Sequence, residues 1–401
     1  MTVSTGSGPA RPSRRVRLLL TLGCAALLAY LGASAWMGER LATPDRRTPR
    51  APEDLTVHEL TLRTRDGLRL AAWVAGPADL APTLRPANDA LVAGVARPRA
   101  TVLLFHGKDG CRQGGRLRWL AERGYRGLAV DARAHGESEG DVTSFGLRES
   151  LDVAAAVDHA RAQWPDEPVI LWGTSQGAAA SLVWCAVEGR GPARPAGLVL
   201  ESLYPDLETA YRRRVVHRLG GTWGMPLLAL GRTLAEWRSG VDPSMLDMVR
   251  LVSATGGVPL LLATGGEDAY APPADLDRLH AAAPWARRVV VPDRGHRDLL
   301  RPGRPDAGPW GAEVEAFLAE AVSAWVEGPG GPFGGAGRGA GRDPSTGAGA
   351  SPGTPEGWAL EDGHPLQRVV PDLGRPAGSE GAAGHVSPDS PANSGSDPQD
   401  R

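Results

Sequence analysis

The stretch that decides the fold is PVILWGTSQGAAASLV, residues 168–183. The apolar run 168–172 predicts a buried strand, and the small residues at 178–183 predict a helix after it. Ser175 lies between them, two residues from a glycine on each side, where a side chain would collide as the backbone folds back sharply. The pattern is typical of a nucleophile elbow, which lifts a serine hydroxyl above the sheet and aims helix N–H groups at the reacting centre.

Short apolar segments alternate with helical segments on both sides of this turn. This alternation predicts a parallel sheet with helices on both faces. Two earlier segments, 55–65 and 68–75, alternate apolar and polar residues around Asp66-Gly67 and predict a hairpin. Residues 77–99 are predicted to be an irregular insertion. The predicted parallel strands are 101–105, 127–130, 169–172, 198–200, 260–263 and 289–291.

Composition limits the class of protein. A chain of 401 residues with this alternation predicts one α/β domain, and a net charge of −2 argues against nucleic-acid binding. The three cysteines, Cys24, Cys111 and Cys185, have neither a metal-binding spacing nor a disulfide framework, so we expect free thiols and no metal.

The N-terminal segment is typical of membrane targeting. Arg14, Arg15 and Arg17 lie just before the apolar run 18–37, which is about as long as a membrane-spanning helix. We therefore predict a cytoplasmic basic stub and signal anchor over 1–37, with the rest of the chain outside the cytoplasm. A cleaved signal peptide ending at Ala33-Ser34-Ala35 is the alternative, and it would make the protein secreted.

The composition divides the rest of the chain into three parts. Residues 38–54 are polar and contain proline, which predicts a linker. Residues 55–327 form the predicted folded domain. Residues 328–401 are rich in Gly, Pro and Ser and too poor in apolar residues to form a core, so we predict a disordered tail.

Three motifs give the folded domain a family resemblance. His106-Gly107 follows the first parallel strand, the segment 131–138 reads DARAHGES, and the serine turn comes next. With these motifs, residues 55–327 resemble the alpha/beta-hydrolase superfamily, in particular its serine esterases, lysophospholipases and prolyl-oligopeptidase-like domains. The resemblance implies an α/β fold with a mostly parallel central sheet flanked by helices. It also implies a helical cap after the sixth strand, here 203–253.

The resemblance implies a catalytic triad in the order serine, acid, histidine. Ser175 would be the nucleophile. The acid is expected in the turn 265–272, where we predict Asp268, with neighbouring Glu267 and strand-ending Glu201 as alternatives. His296 follows the last predicted strand at the position of the general base; its alternative is a loop histidine in solvent. His106 and His135 are expected to be structural.

The oxyanion hole is expected to be formed by two backbone N–H groups, those of Gln176 and Lys108. Lys108 is the only lysine of the chain and stands where the family usually has a small or apolar residue. Its side chain could meet an acidic group of the substrate, point into solvent, or pair with Asp109.

The predicted cap begins with a helix whose apolar stripe is formed by Leu207, Tyr211 and Val215. An apolar patch follows. It could line an acyl-binding pocket, touch a membrane surface, or simply pack against the core. The patch consists of Trp223, Met225, Leu227, Leu228 and Leu230.

These expectations combine into a serine hydrolase that cleaves carboxylic esters through an acyl-enzyme intermediate. The expected substrate is a small-molecule acyl ester or a lipid-like molecule, and no metal or organic cofactor is implied. Within enzymes, a peptidase or thioesterase with the same triad is the alternative. A non-catalytic binding module at the cell surface is the alternative from another class.

Overall fold

The structure is a computed structural model that describes residues 13–80, 98–297, 299–300 and 308–328. The predicted tail therefore lies outside the described residues from 329 onward. Residues 1–12 of the basic stub and 81–97 of the predicted insertion also lie outside them.

In the described part of the chain, one mixed sheet of eight strands forms the centre of the domain. The strand order is β1-β2-β4-β3-β5-β6-β7-β8, in which β1 and β2 are antiparallel to their neighbours and all other pairs are parallel. The predicted hairpin and parallel sheet are both confirmed. The strands are β1 His58–Arg63, β2 Arg69–Ala75, β3 Thr101–Phe105, β4 Arg126–Val130, β5 Val169–Thr174, β6 Gly197–Glu201, β7 Leu260–Gly265 and β8 Arg287–Val291.

Helices cover both faces of this sheet, as predicted. They are α1 Arg14–Ala42, α2 Gly114–Ala121, α3 Glu149–Gln163, α4 Gln176–Val187, α5 Leu207–Arg218, α6 Met225–Ser239, α7 Met248–Ser253, α8 Pro273–Ala282 and α9 Gly308–Glu327.

Successive residues of a strand enter two different hydrophobic cores, because side chains alternate across a sheet. In β3, Leu103 and Phe105 belong to the core shared with α1, α3, α4 and the cap. Val102 and Leu104 belong to the core shared with α2 and α9. Strands buried on both faces have no polar side to alternate with, which is why they appear in the sequence as continuous apolar runs.

The cap lies between β6 and β7 and consists of α5, α6 and α7. The predicted stripe of α5 is buried, since Leu207, Tyr211 and Val215 are all almost fully inaccessible. In the predicted apolar patch, Leu228 is buried and Met225 is half-buried, and both pack in or against the first core.

Helix α1 is the one helix among the described residues that is long and apolar enough to cross a membrane. It continues to Ala42, so residues 38–42 are helical rather than part of the predicted linker. Its C-terminal part packs on the cap helix α6, and Met37, Leu41 and Ala42 enter the first core. The approach is close, since a Cβ atom on Gly38 would lie 2.7 Å from the carbonyl oxygen of Gly231.

Candidate active site

Ser175 occupies a sharp turn between β5 and α4. Its backbone has φ 53° and ψ −112°, which is a strained conformation for a residue with a side chain. Glycine is required on either side for steric reasons. A Cβ atom would lie 2.4 Å from the nitrogen of Ala178 at Gly173, and 2.3 Å from the carbonyl oxygen of Phe105 at Gly177. The spacing that predicted the elbow therefore has a direct physical cause.

The three residues expected to form a triad come together at the ends of different strands. The Nε2 atom of His296 lies 3.0 Å from Oγ of Ser175, and its Nδ1 atom lies 2.9 Å from both carboxylate oxygens of Asp268. With its proton on Nδ1, the imidazole donates to Asp268 and accepts the hydrogen of the serine hydroxyl. The His296 side chain is 11% exposed, whereas that of Asp268 is inaccessible. This geometry can activate a serine hydroxyl.

The surroundings of Asp268 keep its carboxylate ionised. One oxygen accepts the N–H groups of Tyr270 and Ala271, each at 2.8 Å. Burial raises the pKa of Asp268, but the hydrogen bonds from His296 and from Ala271 outweigh burial and hold that pKa below its usual value. A charged acceptor is therefore available to orient His296.

The two alternative acids lie elsewhere. Glu267 is exposed to solvent. Glu201 is fully buried at the end of β6, where it accepts hydrogen bonds from Arg116 at 2.6 Å, Thr174 at 2.8 Å and Trp310 at 3.2 Å. Its contacts therefore hold the sheet and the helices together.

The two N–H groups expected to form the oxyanion hole lie beside the serine. Gln176 is the first residue of α4 and Lys108 follows β3, and neither backbone N–H has an acceptor among the described residues. A cavity of about 150 Å³ is lined by Lys108, Ser175 and His296. The side chain of Gln176 is buried, and its Oε1 atom accepts a hydrogen bond from Thr143 at 2.7 Å.

The side chain of Lys108 is buried. It is 1% exposed, and its ammonium group donates to Asp109 at 3.0 Å. It also donates to the carbonyl oxygens of Arg40 and Thr43, at 3.4 and 3.3 Å. Burial lowers its pKa to about 8. Of the three alternatives for this side chain, the structure shows the pairing with Asp109.

Asp109 is the centre of an ionic cluster that the sequence did not predict. Its carboxylate accepts the N–H of Asp45 at 2.9 Å and lies 3.2 Å from Arg218 and 3.8 Å from Arg297. Burial alone would raise its pKa, but Lys108 and the N–H of Asp45 hold that pKa well below its usual value. The cluster joins the end of α1, the loop after β3, the cap and the loop that carries His296.

A second cavity of about 460 Å³ is lined in part by His296. Its cationic side chains, those of Arg47, Arg218 and Arg297, come from three separate segments of the chain. Arg47 is exposed and has no ion-pair or hydrogen-bond partner among the described residues. The ring of Tyr270 lies 4.9 Å from that of His296. Sequence reasoning missed these residues, and the adjacency of Arg297 to His296 was the one signal for them. The lining residues are Asp45, Arg47, Asp109, Arg218, Tyr270, His296 and Arg297.

His106 and His135 have the structural surroundings expected of them. His106 accepts the N–H of Ala132 at 3.1 Å, and its other ring nitrogen lies 2.8 Å from the carbonyl oxygen of Gly107. Burial lowers the pKa of both histidines, which keeps them neutral. Among the described residues, no cluster of His, Cys, Asp and Glu side chains is suited to hold a metal ion.

Parts of this chain match a protein-family model and known proteins in sequence. Residues 96–222 match the family model described as serine aminopeptidase, S33. A protein of Escherichia coli K12 described as uncharacterized protein YfhR is 24% identical over 253 residues, 62% of this chain and 76% of that one. The lysophosphatidylserine lipase ABHD12 of Gallus gallus is 29% identical over 162 residues, 38% of this chain and 40% of that one.

Solved structures share the fold. The esterase Pf2001 of Pyrococcus furiosus superposes with a TM-score of 0.55 at 20% identity, over 70% of this chain and 98% of that one. A second crystal form of the same esterase gives 0.52 at 19% identity, over 70% and 99% of the two chains. At these identities the likeness concerns the arrangement of strands and helices.

Proposed function

We propose that this chain is a member of the alpha/beta-hydrolase superfamily and a serine hydrolase that cleaves carboxylic esters through an acyl-enzyme intermediate. The observation that carries the proposal is the imidazole of His296, which lies within hydrogen-bond distance of both Ser175 and Asp268. A serine hydroxyl is a weak nucleophile until such a base accepts its proton.

The reaction proceeds in two steps. Oγ of Ser175 attacks the ester carbonyl carbon while Nε2 of His296 takes the hydroxyl proton, and Asp268 stabilises the resulting imidazolium. The backbone N–H groups of Gln176 and Lys108 donate to the oxyanion. His296 then gives its proton to the leaving alcohol, which departs and leaves the acyl group on the serine. In the second step a water molecule gives a proton to His296 and attacks the acyl carbon. The bond between the acyl group and Oγ of Ser175 breaks, His296 returns the proton to Oγ, and the carboxylic acid leaves.

The charges around the serine favour an ester over an aminopeptidase substrate. An aminopeptidase must accept a protonated amine, for which an unpaired carboxylate is the expected partner. Both carboxylates of the larger cavity are already paired, Asp45 with Arg40 at 2.8 Å and Asp109 with Lys108 at 3.0 Å. Arg47, which has no ion-pair partner among the residues that the structure describes, adds a positive charge to the same cavity. An amide or thioester substrate without an amino group remains the alternative with the same chemistry.

The rival from another class, a non-catalytic binding module, explains the site less well. Such a module gains nothing from a buried carboxylate, an oriented imidazole and a serine held in a strained turn. The strain costs on the order of 1–3 kcal/mol. A functional role for the serine accounts for this cost.

We also propose that α1 remains attached and anchors the domain outside the cytoplasm. Cleavage after Ala35 would cut a helix in the middle of its contact with the cap, because Ser34 and Met37 are both buried there. The helix is thus part of the folded domain at one end and long enough to span a bilayer. Secretion after cleavage is the alternative.

Labelling with a fluorophosphonate tests the activated serine. The full chain in detergent should gain one adduct by intact mass, and Ser175→Ala and His296→Ala should abolish it. Ser181→Ala is the matched control, since this serine of α4 only donates to the carbonyl oxygen of Gly177 at 2.8 Å. Turnover of a short-chain p-nitrophenyl ester should follow the same pattern.

Two results would contradict the mechanism. Ester turnover that Ser175→Ala leaves unchanged would exclude this serine as the nucleophile. A folded chain that neither takes up the reagent nor turns over esters would favour the binding module.

A further inference from the structure

The first turns of the cap helix α6 carry no charge. Residues 219–231 contain no Asp, Glu, Lys, Arg or His, and the segment ends at Arg232. Within it, Pro226 and Ala229 are exposed, and Leu227 and Leu230 are half-buried. An uncharged, partly exposed helix start is unusual on a surface that faces water.

Helix α1 lies beside it, and the two helices run parallel. The hydroxyl of Tyr30 donates to the carbonyl oxygen of Pro226 at 3.1 Å. Further along, Gly38 contacts Gly231, and Glu39 forms an ion pair with Arg238 at 3.1 Å. These contacts place the start of α6 level with residues 29–35 of α1, inside the apolar run 18–37.

Both helices become charged near the same level. On α1 the first charged residue after the apolar run is Glu39. On α6 it is Arg232, which forms ion pairs with Glu208 at 3.5 Å and with Glu236 at 3.1 Å. Trp36, which is exposed on α1, lies at this boundary. Tryptophan is enriched at membrane interfaces, so the boundary has the composition of a bilayer surface.

From this register we propose that the first two turns of α6 insert into the leaflet beside α1, with phospholipid as their partner. The inference rests on the proposed membrane anchor. Pro226 is level with Tyr30, seven residues before the end of the apolar run at Met37, which corresponds to a depth of about 10 Å at the rise of an α-helix. Interfacial helices bury their apolar face to about that depth.

The insertion brings the proposed serine site close to the bilayer. An apolar cavity of about 280 Å³ lies at the boundary, lined by Trp36, Met37, Arg40, Arg218 and Leu219. Arg218 also lines the cavity that contains His296, so the two cavities adjoin. An ester whose acyl chain lies in the leaflet therefore has a short path to Ser175.

A fluorescent probe on the helix tests the insertion. In a Cys24→Ser, Cys111→Ser background, Ala229→Cys is labelled with NBD, a fluorophore whose emission depends on solvent polarity. The full chain is reconstituted into vesicles of phosphatidylcholine and phosphatidylglycerol, with and without doxyl-labelled phosphatidylcholine. Ala312→Cys is the matched control, because it is an exposed alanine of α9, on the opposite face of the sheet from α1.

We expect blue-shifted emission at position 229 that the doxyl lipid quenches at least twofold, and unquenched, water-like emission at position 312. Water-like, unquenched emission at both positions would overturn the inference, whether or not the protein is an esterase.

Activity gives a second readout. Ala229→Asp should reduce turnover of a long-chain ester embedded in vesicles about tenfold and leave turnover of a soluble short-chain ester unchanged. Equal effects on both esters would contradict the role of the insertion in substrate access. Failure of the unsubstituted chain to hydrolyse either ester would refute the proposed function and leave the quenching result standing.

Discussion

The ammonium group of Lys108 donates a hydrogen bond to the carbonyl oxygen of Thr43, 3.3 Å away. Thr43 caps the C-terminal end of α1, and the backbone of Lys108 lies beside Ser175. The proposed membrane helix is thus tied directly to the loop that would supply an oxyanion donor. The contact gives this lysine a structural role, because its ammonium group reaches both Asp109 and the end of the helix.

Burial should protect Lys108 from chemical modification. The chain has two amines, the N-terminal one and this lysine. At a pH near its pKa of about 8, half of the Lys108 amine is unprotonated and reactive if a reagent reaches it. We expect an acetylating reagent to add one group to the native chain and two to the denatured chain, measured by intact mass. Lys108→Arg should remove the second group. Equal modification rates in the native and denatured chains would show that the side chain is accessible.

The charge of Asp268 should stabilise the fold above about pH 4. Its folded pKa lies below the unfolded value of about 3.9, so its contribution is fully present above that value and is lost as the pH falls through the folded pKa. Asp268→Asn should therefore lower the free energy of unfolding at pH 7, and the difference from the unsubstituted chain should shrink towards pH 3. Denaturant titrations at several pH values measure this, with the exposed Glu267→Gln as the control. A difference independent of pH would contradict it.

The contact between α1 and α6 should tolerate no side chain at Gly38. A Cβ atom there would lie 2.7 Å from the carbonyl oxygen of Gly231 and 2.9 Å from Cβ of Leu234. Gly38→Leu should destabilise the protein by about 1–3 kcal/mol, as overpacking usually does. Gly32→Leu is the matched control on the same helix, since nothing lies within 4 Å of its Cβ position. Thermal unfolding in detergent compares them, and equal melting temperatures would show that the helices do not pack together.

Arg47 should favour substrates with a negative charge. It is an unpaired cation within the described residues, and it lines both cavities at the serine site. Arg47→Glu should lower kcat/KM about tenfold for mono-p-nitrophenyl succinate and leave p-nitrophenyl butyrate almost unchanged. A tenfold change is about 1.4 kcal/mol, which is reasonable for the interaction of two partly exposed charges. Arg50→Glu changes the charge equally on an exposed residue outside both cavities. Equal losses for the two variants would indicate a general effect of charge.

Much of the fold followed from local patterns. The central parallel strands were predictable because they are buried on both faces and therefore mostly apolar, as in Thr101–Phe105, where prediction and structure coincide. The edge strand Arg287–Val291 is less buried. The hairpin around Asp66-Gly67 was predictable from its alternation. Ser175 could be identified because its two neighbouring glycines are a steric requirement of the turn. These signals lie within a few residues of the features that they predict.

The partners of Ser175 could not be predicted from the spacing of neighbouring residues alone. Asp268 and His296 were expected from the order of the motifs along the chain, and the structure places both within hydrogen-bond distance of each other. Their catalytic roles stay a prediction until the labelling experiment is done. Glu201 shows why order alone is insufficient: it also ends a strand beside the serine, but it pairs with Arg116 at 2.6 Å.

The sequence by itself determined the order of the candidate site residues along the chain, first the serine turn, then the acid, then the base. It also determined an apolar segment long enough to span a membrane. Only the tertiary structure decided that α1 packs on α6, that Lys108 reaches the end of α1, and that Arg47, Arg218 and Arg297 meet at one cavity. The physical reason is the separation along the chain of the residues that interact. A turn or a buried strand imposes a pattern on adjacent residues, whereas a contact between residues far apart in the chain depends on how whole helices and loops pack and imposes no pattern on either segment.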